Sequence, residues 1–314
     1  MAAIIVYKGS LKLRIALVFI IYLLIGSYLS AQELEPRAYW VTPVASNAAY
    51  VIYSHSSGEF ITDPTLPVED VENSLNSIHA GYYRSIDFFG RSADVKLTVP
   101  FFWGTVEGKL DNQFYSMPKS GLADAEFCFS VNLLGAPAMR ISDFQEYRRN
   151  PGTIIGASIR IKPPTGQYDS GNVINLGSNR WAFKPQVGLI HPVRNKFALE
   201  LLAGFWMFTE NKDFRGQTRK QDPLLGGEFH FIYRLRPGFW TSLDTTFFYG
   251  GRSMVGEEPR FDLQRHARIG GTVAIPFEGG HTLKFSANSG MFVSYGGDYT
   301  SFSFSYQYGW ISGK

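Results

Sequence analysis

Ser301-Phe-Ser-Phe-Ser-Tyr-Gln-Tyr-Gly-Trp310 sets an aromatic ring at every second position near the end of the chain. Phe302, Phe304, Tyr306, Tyr308 and Trp310 alternate with Ser301, Ser303, Ser305, Gln307 and Gly309. Successive side chains of an extended strand point to opposite faces, so the five rings share one face and the small polar set the other. Such a strand belongs to the core of a soluble sandwich or to the wall of a membrane barrel whose rings meet lipid.

The composition favours the barrel. Only 18% of the 314 residues are charged and 16% are aromatic, whereas a soluble domain carries about 25% charged residues. The mean hydropathy is nevertheless close to zero, too low for a bundle of apolar helices. A barrel reconciles the two, because only the outward half of each strand must be apolar. A single Cys excludes an intramolecular disulfide. The net charge is +3, and three of the positive charges precede a segment expected to be removed. The remainder is near neutral, with no basic patch suited to nucleic acid.

Those three, Lys8, Lys12 and Arg14, lead into the apolar run 15–25 and then Gly-Ser-Tyr-Leu-Ser-Ala31. A basic stretch, an apolar core of roughly 7–15 residues and small residues at the end form a secretory signal peptide. Residues 1–31 are therefore expected to be cleaved, leaving 32–314 as the barrel. The rival reading, a membrane anchor, needs about 20 apolar residues.

From residue 32 onward strands follow one another: 39–53, 77–88, 92–104, 121–134, 153–162, 181–190, 196–209, 224–234, 239–250, 265–275, 281–293 and the final one. About twelve antiparallel up-and-down strands result, near the 9–11 residues that a tilted spanning strand needs. Links after the second, sixth, eighth and tenth are short. Those after the first, third, fifth, seventh and ninth (54–76, 105–120, 163–180, 211–221 and 251–261) are long and polar, and are expected to be loops. Short periplasmic turns opposite long outer loops are the outer-membrane pattern, and an even count puts both termini in the periplasm. The link 135–150 breaks the alternation and carries the one expected helix, 142–149, with Ser142 as its N-cap. The closing strand resembles the C-terminal insertion signal of outer-membrane barrels, read by the barrel-assembly machinery. The departure is the tail Ile-Ser-Gly-Lys314, since such signals end on the aromatic.

With the apolar phase against lipid, the lumen collects Asp94, Lys96, Glu126, Arg160, Lys162, Lys184, Glu200, Glu228, His230, Arg234, Asp244, Arg268 and Lys284. In a narrow barrel these groups are expected to pair across the lumen, because an unpaired buried charge is costly. They form either a structural network or a solute path with a mild anion preference. Eight strands fill with side chains and 16–18 leave an aqueous channel, so twelve imply a small or partly occluded pore. Trp206, Phe208, Trp240, Phe248 and Phe292 fall in the inward phase as well, as lumen-facing rings or as rim residues of the interfacial girdles. Cys128 faces inward as a small filler.

Pro163-Pro-Thr-Gly-Gln-Tyr-Asp169 and Asn175-Leu-Gly-Ser-Asn-Arg-Trp-Ala-Phe-Lys-Pro185 resemble a family of outer-membrane proteins named after the meta-cleavage pathway of phenol degradation and often labelled "transporter". Arg37-Ala-Tyr-Trp-Val-Thr-Pro43, Gly81-Tyr-Tyr-Arg-Ser-Ile-Asp87, Ser130-Val-Asn-Leu-Leu-Gly-Ala-Pro137 and Gln221-Asp-Pro-Leu224 extend the likeness over nearly the whole mature chain. It implies an outer-membrane barrel that passes small, hydrophobic molecules, to which the lumen-facing rings would add aromatic ones, and it carries no catalytic residues to transfer. Pro163, Pro164 and Gly166 stop a strand, so the segment is a loop. Asn175, Asn179 and Arg180 either fold it inward as a constriction, with Trp181 anchoring it at the interface, or hold it as an ordinary surface loop.

None of the six histidines, His55, His79, His191, His230, His266 and His281, lies in a nucleophile motif, a metal spacing or a phosphate-binding loop. His191 and His281 are expected in turns. The reading is therefore a non-enzymatic channel that needs no cofactor or metal and sits among outer-membrane lipids. The alternatives are a closed-lumen structural or surface-binding barrel, and a lipid hydrolase with Ser and His on the barrel wall.

Overall fold

The computed structural model describes residues 34–61, 68–110, 113–171, 175–194, 196–293 and 296–312. The expected signal peptide, 1–31, lies outside them, as do residues 172–174 of the expected constriction loop.

The strands are β1 (Ser46–Ile61), β2 (Val68–Phe88), β3 (Arg91–Leu110), β4 (Gln113–Leu122), β5 (Glu126–Leu134), β6 (Ile154–Lys162), β7 (Ala182–Val193) and β8 (Phe197–Phe208). There follow β9 (Asn211–Phe214), β10 (Gln217–Gln221), β11 (Leu224–Arg236), β12 (Phe239–Gly250), β13 (Ser253–Val255), β14 (Glu258–Pro259), β15 (Gln264–Pro276), β16 (His281–Val293) and β17 (Gly296–Ile311). Each wall strand pairs antiparallel with its neighbours. The sheet closes where β17 meets β1, from Ser46 opposite Ile311 to Ile61 opposite Gly296. β4 and β5 share one place in the wall: β4 pairs with β3 from Phe101 to Leu110 and β5 with β3 from Ala93 to Thr98. The result is a closed barrel of twelve strand positions.

Its polarity is that of a soluble protein turned inside out. Phe302, Leu225 and Leu201 are 57%, 53% and 51% exposed, while Glu200, His230 and Asp244 are fully buried. The alternation read from residues 301–310 holds in register, since Phe285 pairs with Phe304 and Ala287 with Phe302 on the outward face. The tight turn between β2 and β3 is built from left-handed Phe89 and Gly90, and Asp87 Oδ1 accepts the Gly90 N–H at 2.7 Å. This turn, those after β7, β11 and β15, and the β5–β6 link lie at one end of the barrel, called here the short-turn end.

Four expectations are corrected. The first strand starts at Ser46, not at residue 39. Residues 34–45 leave the wall, because Pro43 has no N–H for a ladder and Ala45 turns the chain through a left-handed conformation. The polar segments 54–76 and 105–120, expected as loops, continue as strand in β1, β2, β3 and β4. β2 alone has 21 residues, roughly 70 Å at about 3.3 Å per residue, so it projects beyond a hydrocarbon layer of about 30 Å. Beyond that layer no lipid demands an apolar alternation. Segments 211–221 and 251–261 form β9, β10, β13 and β14, a separate four-stranded sheet. The helix spans Ile141–Tyr147, and Ser142 does not cap it: Ser142 Oγ donates to Asp143 Oδ1 at 3.0 Å.

Candidate functional site: the lumen

The lumen wall carries two differently built sets of side chains. Toward the short turns, Ile154, Ile190, Ala198, Leu202, Ile232, Trp240 and Ala274 point inward and meet Tyr39 and Val41 of the N-terminal segment. Tyr39 is seated by two absent side chains. Gly156 and Gly188 pair across β6 and β7, and a Cβ on either would lie 2.3 Å from the Tyr39 ring. The Tyr39 hydroxyl lies 2.9 Å from Ser158 Oγ, and Asn132 Nδ2 donates to the Tyr39 carbonyl at 3.2 Å. Glu200 accepts the backbone N–H groups of Arg37 at 2.6 Å and of Ala38 at 2.9 Å. At the barrel's edge Ala45 N donates to Ser85 O and Ser312 N to Ala45 O, which ties the segment to both ends of the wall.

Charged and paired groups interleave with that packing and continue toward the long hairpins: Glu200, between Ala198 and Leu202, is opposite His230, and Glu228 is opposite Leu202. Glu126 holds Arg160 at 2.9 Å and Lys162 at 3.2 Å, and Arg160 also pairs with Glu35 of the N-terminal segment. Lys184 meets Glu228 at 3.3 Å, and Gln186 Nε2 donates to the same carboxylate. His230 bridges Glu228 at 3.4 Å and Asp244 at 2.8 Å, and Asp244 Oδ2 accepts from Ser242 and Thr272 at 3.0 Å each. Arg268 donates to the Tyr299 carbonyl at 3.0 Å. The register sets Lys96 opposite Cys128 and Asp94 opposite Ser130 on the inner wall, with Cys128 buried. Lys284 faces inward on β16 between Ala274 and Ser305. Arg234 is drawn to the N-terminal segment, its guanidinium 5.3 Å from the Trp40 ring.

Among the inward rings, Trp240 and Phe248 are buried at 7% exposure. Trp206 carries Lys162 at 4.9 Å and Lys184 at 5.9 Å, and Phe208 carries Arg180 at 4.3 Å. Phe292, expected in the inward phase, is half exposed on the outward face instead: a bulge between Ala267 and Arg268 sets it opposite Ala267, and Arg265 lies 5.5 Å from its ring. His191 and His281, expected in turns, belong to β7 and β16, bonded to Thr153 and Tyr306.

The loop between β6 and β7 lies across the break between β4 and β5. Asp124, in that break, accepts Gly166 N at 2.8 Å and Ser178 N at 2.8 Å. Asn175 closes a local ring with Asp169. Asn179, left-handed at φ 52°, donates to Asn211 Oδ1 at 3.0 Å. Arg180 reaches Gln221, and burial, with Arg219 nearby, lowers its pKa to about 10. Trp181 stands on the exposed face, stacked on Phe183.

Beneath the N-terminal segment, at the short-turn end, is a cavity of about 330 Å³. Arg37, Trp40, Arg234 and Trp240 form its inner wall, and the helix side chains Phe144 and Tyr147 close one side. Tyr147 donates to the Gly135 carbonyl at 2.8 Å, and its pKa is raised by burial.

A family model matches residues 56–308. The chain belongs to that family, described as "MetA-pathway of phenol degradation". Among solved structures, the chain is similar to the COG4313 outer membrane channel from Pseudomonas putida F1, with 19% identity over 88% of this chain and 100% of that one and a TM-score of 0.74. The β domain of the Bordetella autotransporter BrkA has 12% identity over 85% and 100%, with a TM-score of 0.49. No curated protein matches the chain. The first likeness shows that this member of the family has an outer-membrane channel fold. Arg37-Ala-Tyr-Trp-Val-Thr-Pro43, which carried part of the family resemblance in the sequence, threads the lumen rather than forming wall. The signals that mark it are Pro43 and the unexplained pair Gly156 and Gly188.

Proposed function

We propose that this protein is a passive channel for small molecules, apolar or aromatic ones among them, in a Gram-negative outer membrane. The observation that carries the reading is the charged set of lumen side chains. Its groups, from six strands (β5, β6, β7, β11, β12 and β15), line the inside of a closed barrel, and they are far more polar than a structural core requires. The fold shared with an outer membrane channel supports the same conclusion. In this reading residues 1–31 direct export, β17 is presented to the barrel-assembly machinery, and the short turns face the periplasm. Lys96, Arg160, Lys162, Lys184, Arg268 and Lys284 set a mild anion preference, balanced by Glu126, Glu200, Glu228 and Asp244. The loop with Asn175, Asn179, Arg180 and Trp181 narrows the mouth at the long-hairpin end. Residues 34–45 form a second, tighter constriction within the lumen.

The dry packing around Tyr39 favours one rival, a barrel whose lumen stays closed and serves as a structural or surface-binding scaffold. Planar-bilayer conductance separates the two. The refolded mature barrel is expected to give small discrete steps with anion preference, and removal of residues 34–41 to enlarge the steps severalfold. Silence from both forms, each shown to be folded, rejects the channel in favour of the closed scaffold.

A further inference from the structure

The cavity beneath the N-terminal segment shares Val41, Ile154 and Trp240 with the packing around Tyr39 and lies outside the ion-paired wall. Five cationic side chains line it: Arg37, Arg148, Lys196, Arg234 and Arg236, and no carboxylate does. Glu200 is engaged with backbone N–H groups, and Asp143 and Glu146 of the adjoining helix are exposed and outside the wall. Rings and cations alternate in its depth. The Arg37 guanidinium sits 4.3 Å from the centre of the Trp40 ring and 5.2 Å from that of Trp240, and Arg234 approaches Trp40 at 5.3 Å.

We propose that this cavity binds a small planar aromatic anion, a single-ring carboxylate of the size of benzoate. A carboxylate balances the charge of a wall that holds five cations and no acidic side chain. The flat ring extends the existing alternation of guanidinium and indole, where stacking and cation–π attraction both act. A neutral ligand leaves the positive wall unbalanced, and a compact inorganic anion leaves the rings unused. The volume is at the small end of the roughly 300–1,000 Å³ usual for ligand pockets. The proposal rests on the channel reading only in that it names the solute class the passage would take; binding itself requires no passage.

The test uses the refolded mature barrel in detergent, at neutral pH, with tryptophan fluorescence and calorimetry as readouts. Benzoate is expected to saturate the site about tenfold more tightly than benzyl alcohol, a difference of about 1.4 kcal/mol. It should also bind more tightly than cyclohexanecarboxylate, which keeps the charge and loses the flat ring. Arg37→Gln is expected to abolish the preference for benzoate over the alcohol. Arg148→Gln, at the exposed edge and away from the N-terminal segment, is expected to weaken benzoate a fewfold without altering the fold. Equal binding of acid and alcohol, or no saturation by benzoate in a folded barrel, overturns the proposal. A barrel that binds benzoate but conducts nothing refutes the channel and leaves the site. One that conducts but does not bind refutes the site and leaves the channel.

Discussion

Ala198, Leu202 and Ile232 meet Tyr39 in a dry packing, whereas between and beside them on the same inner wall Lys184, Glu228 and His230 form a chain of ion pairs. The same strands supply both, in the same inward phase. On β8 that phase reads Ala198, Glu200, Leu202, Gly204 and Trp206; on β11, read back from the short turns, it is Ile232, His230 and Glu228. What changes from one inward position to the next is what it faces. Where residues 34–45 run through the lumen, an apolar side chain has a partner to pack against. Where polar groups point inward, against one another or against that segment, they survive only by pairing. Lumen chemistry therefore follows what each inward position faces and not strand identity: Glu200, between Ala198 and Leu202, meets the backbone N–H groups of Arg37 and Ala38.

The sharpest way to break that comparison is to take away the space that Tyr39 occupies. Gly156→Val puts a Cβ 2.3 Å from the Tyr39 ring on a rigid strand backbone. The ring has to leave, and losing a buried aromatic's packing costs on the order of 3–5 kcal/mol. Conductance is expected to rise toward that of the form lacking residues 34–41, while the barrel keeps its compact migration on unheated gels. If the steps stay small, the segment is not held by this seat.

The charged set breaks differently. Asp244 is fully buried and takes hydrogen bonds from His230, Ser242 and Thr272. Asp244→Asn keeps the shape and removes the charge, weakening bonds that are worth about 1.5–3 kcal/mol each when one partner is ionised. The expected outcome is a lower unfolding temperature with a shift of ion selectivity toward anions, and with Tyr39 still seated. A fall in stability with unchanged selectivity would mark this network as scaffold only.

Much of this contrast was legible in the residues. The alternation in β5, β6 and β17 fixed which side chains face lipid, because the membrane demands an apolar outer face on every spanning strand. Arg160, Glu126 and Glu228 could be assigned to the lumen on that ground. Their pairing partners could not, since pairs such as Lys184 with Glu228 join strands whose relative stagger is set by barrel closure. The hairpin extensions of β1, β2 and β3 were hidden because a strand beyond the lipid layer needs no apolar period. Tyr39-Trp40-Val41 reads as wall because its composition suits a strand. Its real partners, Gly156 and Gly188, are more than a hundred residues away and act by lacking a side chain.

The smallest expected effect lies at the opposite mouth, in the loop whose motif carried the family resemblance. Asp124 gathers Gly166 N, Ser178 N and Ser178 Oγ on its two carboxylate oxygens, and so pins the β6–β7 loop over the break between β4 and β5. Asp124→Asn retains one acceptor oxygen and turns the other into a donor facing donors, a loss of about 1 kcal/mol for a half-exposed group. The barrel and its N-terminal segment do not depend on this contact, so mean conductance is expected to change by less than in Gly156→Val. Open-state noise is expected to grow as the loop moves on its two anchors. If Asp124→Asn instead enlarges the steps as much as Gly156→Val does, the tighter constriction lies in this loop, and residues 34–45 serve chiefly to fill and brace the wall.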